Sequence, residues 1–396
     1  MQATKEALAA HVDVERVLEL LKQLIALPSV NPNGYTASLD EIGEHRVVGF
    51  LEEFIRGCGF ASELEEVSSG RSNVYCLIPS REQRPPVGII IHTDTVHTDP
   101  AARTSFCPEV RDGRVYGRGA VDNKAFIAIV LAMIEAMGRN RMWPLAPLLL
   151  MFVVDEERFG TGAAKAKKWV EQHHPNLGWL IVAEPTMNTP GFGHNGVLRG
   201  EFRFIGESAH ASSVTEGHDA NRAAIRAAAC LESWLQGNAR SWKGAHSVPT
   251  MRFTQMRGGT GPNVISGEAA LTVDMRLTEK MSAAELRELV PHIVKVDVGH
   301  HDREIQVEWN VSSCQDASFQ DGGELLQLLS AASGNEPVWL PFGTDWARMR
   351  GAAKQTIVFG PGSIREAHTF EEYIEVDEIE RTLNLIGALL MSHGPC

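Results

Sequence analysis

The sequence predicts an α/β protein whose first domain is interrupted by an inserted α+β domain and then resumes. Helix and strand patterns alternate up to about residue 197, change to the order β-α-β-β-α-β over residues 198–311, and alternate again over residues 312–396. Alternation is typical of helices packed on a largely parallel sheet, and the β-α-β-β-α-β order is that of the ferredoxin-like fold. A chain of 396 residues is long enough for two or three domains with separate cores.

The elements of the first domain follow from the spacing of its apolar residues. Asp13 can cap a helix whose apolar residues recur every three or four positions, and Pro28 ends it. The run at 87–91 is almost wholly apolar, which is the pattern of a strand buried on both faces. The other elements predicted before residue 197 are a helix at 47–55, a strand at 74–78, a helix at 123–137, a strand at 148–154, a helix at 163–172 and a strand at 179–183.

The inserted domain and the returning part of the first domain are predicted in the same way. The insert comprises a strand at 201–205, a helix at 219–235, strands at 250–257 and 269–277, a helix at 283–294 and a strand at 305–309. After it come a helix at 323–330, a strand at 356–359 and a final helix with apolar residues from Ile379 to Leu390.

Charge and composition exclude several classes of partner. The formal net charge is -13, and no cluster of Lys and Arg of the kind that binds phosphates is present, so we expect no nucleic-acid partner. No stretch approaches the roughly 20 apolar residues of a membrane span, and no export signal is recognisable, so we expect a soluble, cytoplasmic protein. The six scattered cysteines are expected to be reduced thiols. An anionic substrate would need a local Arg or Lys to offset the acidic charge.

Polar residues follow three of the predicted strands at the points where the strands end. His92, the pair Glu156 and Glu157, and Glu184 each come directly or almost directly after a buried run. Open α/β sheets bind ligands at the carboxyl ends of their strands, so these side chains are expected to converge. Several acids in one place repel one another unless cations neutralise them. Mixed imidazole and carboxylate ligands suit Zn²⁺, Co²⁺ or Mn²⁺ better than Ca²⁺ or Mg²⁺.

Two further residues extend this candidate metal site. Asp122 follows a glycine-rich stretch just before a predicted helix, where one carboxylate could bridge two ions. His368 lies in another loop after a strand and offers a second imidazole. Each position also has a structural interpretation: Asp122 could simply cap its helix, and Glu156 and Glu157 could form a solvated helix start.

Eight short motifs, in order along essentially the whole chain, identify a family that the sequence resembles. The motifs are His92-Thr93-Asp94-Thr95-Val96, residues 116–124, Asp155-Glu156-Glu157, Ala183-Glu184-Pro185-Thr186, Ala209-His210-Ala211-Ser212, Gly258-Gly259-Thr260 with Asn263-Val264-Ile265, Asp274-Met275-Arg276, and Gly360-Pro361-Gly362 with Ala367-His368-Thr369. Together they resemble the M20 family of dinuclear zinc hydrolases, which includes acetylornithine deacetylases and succinyl-diaminopimelate desuccinylases. The resemblance implies a zinc-exopeptidase-like catalytic domain over residues 1–197 and 312–396, and a ferredoxin-like dimerisation and lid domain over residues 198–311.

The resemblance also implies a role for each candidate residue near the metal ions. The implied ligands are His92 and Glu184 for one ion, Glu157 and His368 for the other, and Asp122 as the bridge. Asp94 would orient the His92 imidazole. Glu156 would be the general base that takes a proton from the attacking water and later delivers it to the leaving amine.

Substrate contacts are implied from the inserted domain and from one loop. His210 would reach the active site of the partner subunit in a homodimer and stabilise the developing oxyanion. Asn263 and Arg276 would contact the substrate, with Arg276 as the local cation, and Gly343 and Thr344 would line the pocket.

The leading expectation is hydrolysis of the amide C–N bond of a small, carboxylate-bearing N-acyl amino acid, of the deacetylase or desuccinylase type. Alternatives are a dipeptidase or carboxypeptidase, hydrolytic removal of an amine from a non-peptide substrate, and a catalytically silent ligand-binding protein. Where many relatives have Met-Lys-Gly after the bridging Asp, this chain has Asn123-Lys124-Ala125. That departure leaves the ligand in place and bears on the pocket edge.

Overall fold

The computed structural model describes residues 8–32, 41–97, 105–213 and 216–396. Residues 1–7, part of the segment without a recognisable export signal, lie outside the described residues. The helices are α1 (Val14–Ile25), α2 (His45–Gly57), α3 (Ala125–Asn140), α4 (Thr161–His173), α5 (Ala220–Trp242), α6 (Ala283–His301), α7 (Glu324–Ser333), α8 (Trp346–Met349) and α9 (Val376–Ser392). A short 3-10 helix spans Leu8–His11. No helix among the described residues is both long enough and apolar enough to cross a membrane.

The strands are β1 (Glu63–Ser68), β2 (Arg71–Ile78), β3 (Val87–His92), β4 (Glu109–Arg111), β5 (Arg114–Tyr116), β6 (Leu148–Val153), β7 (Trp179–Ala183), β8 (Gly191–His194), β9 (Gly196–Ile205), β10 (Ala209–His210), β11 (Thr250–Gly258), β12 (Val264–Ile265), β13 (Glu268–Leu277), β14 (Gln306–Gln315), β15 (Ser318–Phe319), β16 (Val338–Leu340), β17 (Gln355–Phe359) and β18 (Tyr373–Glu375). Each predicted helix and strand has a counterpart among these elements. Several of the short strands have no counterpart in the sequence prediction.

The described residues form two compact units. The first comprises Met1–Gly193, Gln320–Val338 and Thr344–Cys396, and the second His194–Phe319 and Trp339–Gly343. The predicted boundaries at residues 198 and 311 lie inside the second unit. They differ from the observed ones because β9 and β14 extend further than the apolar pattern indicates.

The first unit is built on a mixed sheet whose central strands are parallel. Its order is β1-β2-β6-β3-β7-β17-β8, with β6, β3, β7 and β17 parallel to one another. The strands β1, β2 and β8 pair in the antiparallel sense. The prediction of a largely parallel sheet is therefore confirmed for the core. Helix α3 is buried on almost every side, with α1 and α9 packed against it.

The second unit is a four-stranded antiparallel sheet with two helices. Its order is β11-β13-β9-β14, and the connections run β9-α5-β11-β13-α6-β14. Alternate residues of β9, including Phe202 and Phe204, join α5 and α6 in one apolar core. The predicted ferredoxin-like fold is confirmed.

Tight packing between α4 and Val154, the residue after β6, leads to a stability prediction for Gly162→Ala. A Cβ at Gly162 would lie 2.2 Å from the carbonyl oxygen and 2.6 Å from the amide nitrogen of Val154, and neither backbone atom can move easily. We expect the free energy of unfolding to fall by about 3 kcal/mol, because an added methyl group overpacks a contact that cannot relax. The matched control is Gly49→Ala in α2, where nothing lies within 4 Å of a new Cβ.

Urea unfolding followed by tryptophan fluorescence measures both variants. Gly49→Ala should leave the midpoint unchanged or raise it slightly, because alanine favours a helix over glycine. A Gly162→Ala protein with the midpoint of the wild type would contradict this account of the α4 packing.

Candidate metal centre

The predicted ligands meet at the carboxyl ends of the central parallel strands. His92 is the last residue of β3, Glu184 directly follows β7, and Glu157 follows β6. His368 comes from the loop after β17 and has a left-handed φ of 60°. Such a conformation is costly for a residue other than glycine and persists only where the surroundings hold it.

Asp122 lies in a wide turn, Ala120–Lys124, immediately before α3. The predicted helix start at 123 is wrong by two residues, because Asp122 and Asn123 have non-helical φ values of -129° and -137°. The peptide bond between them is cis. The departure from the helix leaves the Asp122 carboxylate at the end of the sheet rather than as a cap of α3.

Five side chains form two clusters of potential metal ligands that share one residue. The first is His92, Asp122 and Glu184, the second is Asp122, Glu157 and His368, and the ligand atoms of each lie within 4.8 Å of one another. One Asp122 oxygen is 2.8 Å from Nε2 of His92, and the other is 3.3 Å from Nε2 of His368. The structure thus brings together all five predicted ligands with Asp122 between the two pairs.

The electrostatics of these residues fit a pair of divalent cations. His92, Asp122 and Glu184 are at most 5% exposed, and three carboxylates converge with two imidazoles. Burial raises the pKa of Glu184 well above its ordinary value, and the Asp122 carboxylate raises it further. Buried acids at this spacing need cations as counter-charges. Imidazole with carboxylate is a donor set that zinc binds readily.

Without such cations, protons neutralise the site. The Glu157 carboxylate, together with Asp122, raises the pKa of His368 to about 12. Burial opposes protonation of His92, but the neighbouring Asp122 and Asp94 carboxylates outweigh it and raise its pKa. The same imidazoles lower the pKa of Asp122 against the opposing effect of burial.

Metal binding should therefore release protons. His368, whose pKa is raised to about 12, holds a proton at pH 7 when no metal is bound, and a bound cation displaces that proton. Because fewer protons are bound in the metal complex, metal affinity should rise as the pH increases from 6 to 8. Calorimetric titration with zinc in two buffers of different ionisation enthalpy measures the number released. Heats that do not depend on the buffer would contradict this description.

Asp94 supports the site in a way that differs from the sequence expectation. Its backbone carbonyl oxygen is 3.0 Å from Nδ1 of His92, whereas its carboxylate is 3.7 Å from the same nitrogen. The carboxylate instead accepts the backbone N–H groups of Glu156 and Glu157, both at 3.1 Å. Asp94 thus contacts the imidazole mainly through its main chain and holds the Glu156–Glu157 turn through its side chain.

Residues to which the sequence analysis gave no role hold the Asp122 turn. Glu372 accepts the backbone N–H groups of Val121 and Asp122 at 3.0 and 3.2 Å. Arg118 forms a 2.5 Å ion pair with Glu372, and both side chains are buried. Asn123 donates a hydrogen bond to the carbonyl oxygen of Ala183, the residue before Glu184. Asn123 was noted in the sequence only as a departure from the usual motif.

The substrate-contact candidates lie in both units. In the second unit, His210 is exposed, and its Nδ1 is hydrogen-bonded to the Ser212 hydroxyl at 2.7 Å. It lies opposite Val264 in the pairing of β10 with β12. Asn263 is exposed in the adjoining turn, where its backbone carbonyl oxygen accepts a hydrogen bond from the backbone N–H of Ala211. Their proposed roles toward the substrate stay predictions.

Arg276 forms a charged cluster in the second unit. It donates to Asp274 at 2.8 Å, and Asp274 also accepts from Arg199 at 2.6 Å. Two guanidinium groups therefore share one carboxylate, which leaves the cluster with one net positive charge. Such a cluster can attract an anionic group of a ligand.

The boundary between the two units falls between Gly343 and Thr344. Gly343 belongs to the second unit and Thr344 to the first. Thr344 is 2% exposed, and its hydroxyl accepts the N–H of Trp346, which is a structural role at the start of α8. The neighbouring Asp345 is also buried, and burial raises its pKa to about 7, with Asp94 adding to the effect. A glycine-threonine-aspartate sequence alone does not reveal such burial.

The α/β unit gathers two clusters of potential metal ligands around a shared aspartate, which is the arrangement that metal-dependent hydrolases with two metal ions use. The sequence profile of peptidase family M20/M25/M40 matches residues 88–392, and the chain belongs to this family. The predicted family, fold class and metal-dependent amidohydrolase activity are thereby confirmed.

Similarity to proteins of known name extends over nearly the whole chain. The chain is 25% identical over 385 residues to the acetylornithine deacetylase of Proteus mirabilis (strain HI4320), and the alignment covers 96% of this chain and 97% of that protein. The chain is 28% identical over 348 residues to the acetylornithine deacetylase of Myxococcus xanthus, and the alignment covers 85% of this chain and 88% of that protein.

Solved structures agree with the fold. The dipeptidase Dug1p of Saccharomyces cerevisiae matches with a TM-score of 0.81 at 12% identity, covering 99% of this chain and 98% of that one. The YXEP protein of Bacillus subtilis, described as a dinuclear metal binding peptidase of the M20 family, matches with a TM-score of 0.64 at 16% identity, covering 95% and 98%. At these identities the likeness concerns the fold alone.

Proposed function

We propose that this protein hydrolyses the amide bond of a small N-acyl amino acid, with Zn²⁺ as its resident metal. The observation that carries the proposal is the pair of ligand clusters that share the buried Asp122, with Glu156 next in the chain to the ligand Glu157. The relatives named acetylornithine deacetylases, matched over nearly their full length, support an acyl amino acid as the substrate.

The ligand residues divide into two sets. His92 and Glu184 would hold one ion and Glu157 and His368 the other, while the two oxygens of Asp122 face both sets. When bound, the two cations lower the pKa of a water molecule and polarise the scissile carbonyl. Co²⁺ and Mn²⁺ suit the same ligands.

Glu156 is the group that moves the proton. Its side chain belongs to neither ligand cluster, and in this proposal its carboxylate faces the attacking water. Burial, and then the neighbouring Glu184 carboxylate, raises the pKa of Glu156, which favours a group that both accepts and returns a proton. It takes the proton from the water and delivers it to the leaving amine.

The second unit supplies the remaining contacts in this proposal. Arg276, in its positively charged cluster with Asp274 and Arg199, binds the substrate carboxylate together with Asn263. His210 acts in the active site of the partner subunit of a homodimer, as an oxyanion donor. We further propose a reducing, cytoplasmic location, in which the six cysteines would remain thiols.

A mass-spectrometric screen of the zinc-loaded protein tests the proposal. The panel contains acetylated, succinylated and aromatic acyl amino acids, dipeptides, and non-peptide amides, each incubated with and without a chelator. We expect a free acid and a free amino acid from at least one acyl amino acid, and no product after chelation. Cleavage of dipeptides alone would assign an exopeptidase, and zinc binding without any turnover would assign a silent binding protein.

A further inference from the structure

Behind the Glu156–Glu157 turn lies a set of five buried polar residues that the reaction itself does not use. They are Asn31, Glu44, Arg71, Asp94 and Asp155, here called the Arg71 network. None of them is more than 9% exposed. The sequence motifs contain only Asp94 and Asp155, and they assign no role to Asp155.

Arg71 joins Glu44 to Asp155. Its guanidinium donates two hydrogen bonds to the Glu44 carboxylate, at 2.8 and 2.5 Å, and a third to Oδ1 of Asp155 at 3.2 Å. Glu44 also accepts the backbone N–H of Asp155 at 3.3 Å. The pair thus holds Asp155 by its side chain and by its main chain.

Asn31 connects Asp155 to the residues around the metal site. Its amide group donates to Oδ2 of Asp94 at 2.7 Å and to Oδ1 of Asp155 at 3.0 Å. Asp94 in turn accepts the N–H groups of Glu156 and Glu157. An unbroken series of hydrogen bonds therefore runs from Glu44 to the backbone of the Glu156–Glu157 turn.

The conformation of Asp155 makes this turn dependent on its surroundings. Its φ is 71°, in the left-handed region that a residue other than glycine rarely adopts. Its second carboxylate oxygen accepts a hydrogen bond from the Thr161 hydroxyl at 2.6 Å. Side-chain contacts from three directions thus hold a backbone geometry that would otherwise relax.

The charges of the network make Arg71 hard to replace. Three buried carboxylates, of Glu44, Asp94 and Asp155, share one guanidinium and one neutral amide. Removal of the cation would take the paired guanidinium away from the buried Glu44 carboxylate, which is far more costly than the loss of a surface pair. The carboxylates would then separate, and the turn that Asp94 and Asp155 hold would move with them.

Such a movement affects the two ligand clusters unequally. Glu157 lies within the turn and belongs to the cluster with His368, whereas His92 ends β3 and Glu184 follows β7. We propose that Arg71 and Asn31 are positioning residues that set the Glu156–Glu157 turn. Loss of either side chain weakens metal binding at the Glu157–His368 cluster more than at the His92–Glu184 cluster. It also lowers kcat more than it changes KM. This inference rests on the two-metal hydrolysis proposed above.

The experiment compares the full-length wild type with Arg71→Met, Arg71→Lys, Asn31→Ala and the control Arg16→Met. Arg16 forms a similar two-bond pair with Glu135 in the same unit, at 2.9 and 3.0 Å. Each protein is equilibrated at a free zinc concentration that just saturates the wild type. Bound zinc per chain, circular dichroism and the unfolding midpoint are measured, followed by kcat and KM on an acyl amino acid that the wild type cleaves.

Arg71→Met and Asn31→Ala should remain folded and retain one zinc where the wild type retains two. Zinc affinity of the weakened site and kcat should each fall by about 10–100-fold, as expected for residues that support a ligand from behind. Arg71→Lys should lie between, because it keeps the charge but not the planar guanidinium that reaches Glu44 and Asp155 together. Arg16→Met should bind two zinc ions whatever its stability.

Two bound zinc ions and wild-type kcat in both Arg71→Met and Asn31→Ala would overturn the inference. If Arg71→Met fails to fold, Asn31→Ala decides, since it adds no buried charge. Equal loss of both ions in a folded Asn31→Ala protein also contradicts the inference. A wild type that binds no zinc contradicts the proposed function itself, which separates that failure from the failure of the positioning role.

Discussion

Replacing Glu156 with glutamine should nearly abolish turnover while both metal ions stay bound. Glutamine has almost the same size and shape, but its amide cannot accept a proton from water at neutral pH. Glu156 belongs to neither ligand cluster, so its loss removes no metal ligand. General acid–base groups contribute about 10²–10⁴-fold, and we expect kcat to fall by that factor.

The measurement pairs product formation with metal content on the same preparation. Glu53→Gln, an exposed substitution of the same kind on α2, serves as the control and should match the wild type in both. A Glu156→Gln protein with kcat within about threefold of the wild type would assign the proton transfer to another group, because a base contributes far more than that.

Asp122→Ala should remove both metal ions at once. The two oxygens of Asp122 face different imidazoles, so the substitution takes one ligand from each cluster. Glu184→Ala and Glu157→Ala each take a ligand from one cluster only. At a zinc concentration that saturates the wild type, Asp122→Ala should therefore retain less zinc than either single-cluster variant.

Zinc content is measured after dialysis against buffered zinc, with circular dichroism to show that each variant is folded. Asp13→Ala, which removes the cap of α1 outside the metal clusters, controls for general destabilisation. An Asp122→Ala protein that keeps one firmly bound zinc ion would mean that Asp122 serves a single cluster and does not bridge.

The sequence predicts the core of the fold better than its edges for a physical reason. The strands β3, β6 and β7 are buried along their whole length, so their apolar runs stand out. Strand β1 lies at the edge of the sheet, and most of its residues are exposed. Its sequence Glu63-Leu64-Glu65-Glu66 lacks the apolar signal on which the prediction depends.

The candidate ligands were accessible to sequence reasoning because they directly follow buried strands or lie in recognisable motifs. The Arg71 network could not be predicted in this way. Glu44 lies just before α2 and Arg71 begins β2, and only the folded chain brings them to Asp155. In a linear sequence each is an ordinary charged residue, of a kind most often found on the surface. Their burial is a consequence of tertiary packing.

The most direct test of a two-metal site around Asp122 is anomalous diffraction at the zinc edge from crystals grown with zinc. We predict two anomalous peaks, one beside His92 and Glu184 and the other beside Glu157 and His368, with one oxygen of Asp122 at each. The ligand distances should be about 2.0–2.2 Å. A single peak that Asp122 does not contact, or zinc bound only elsewhere on the protein, would contradict the account.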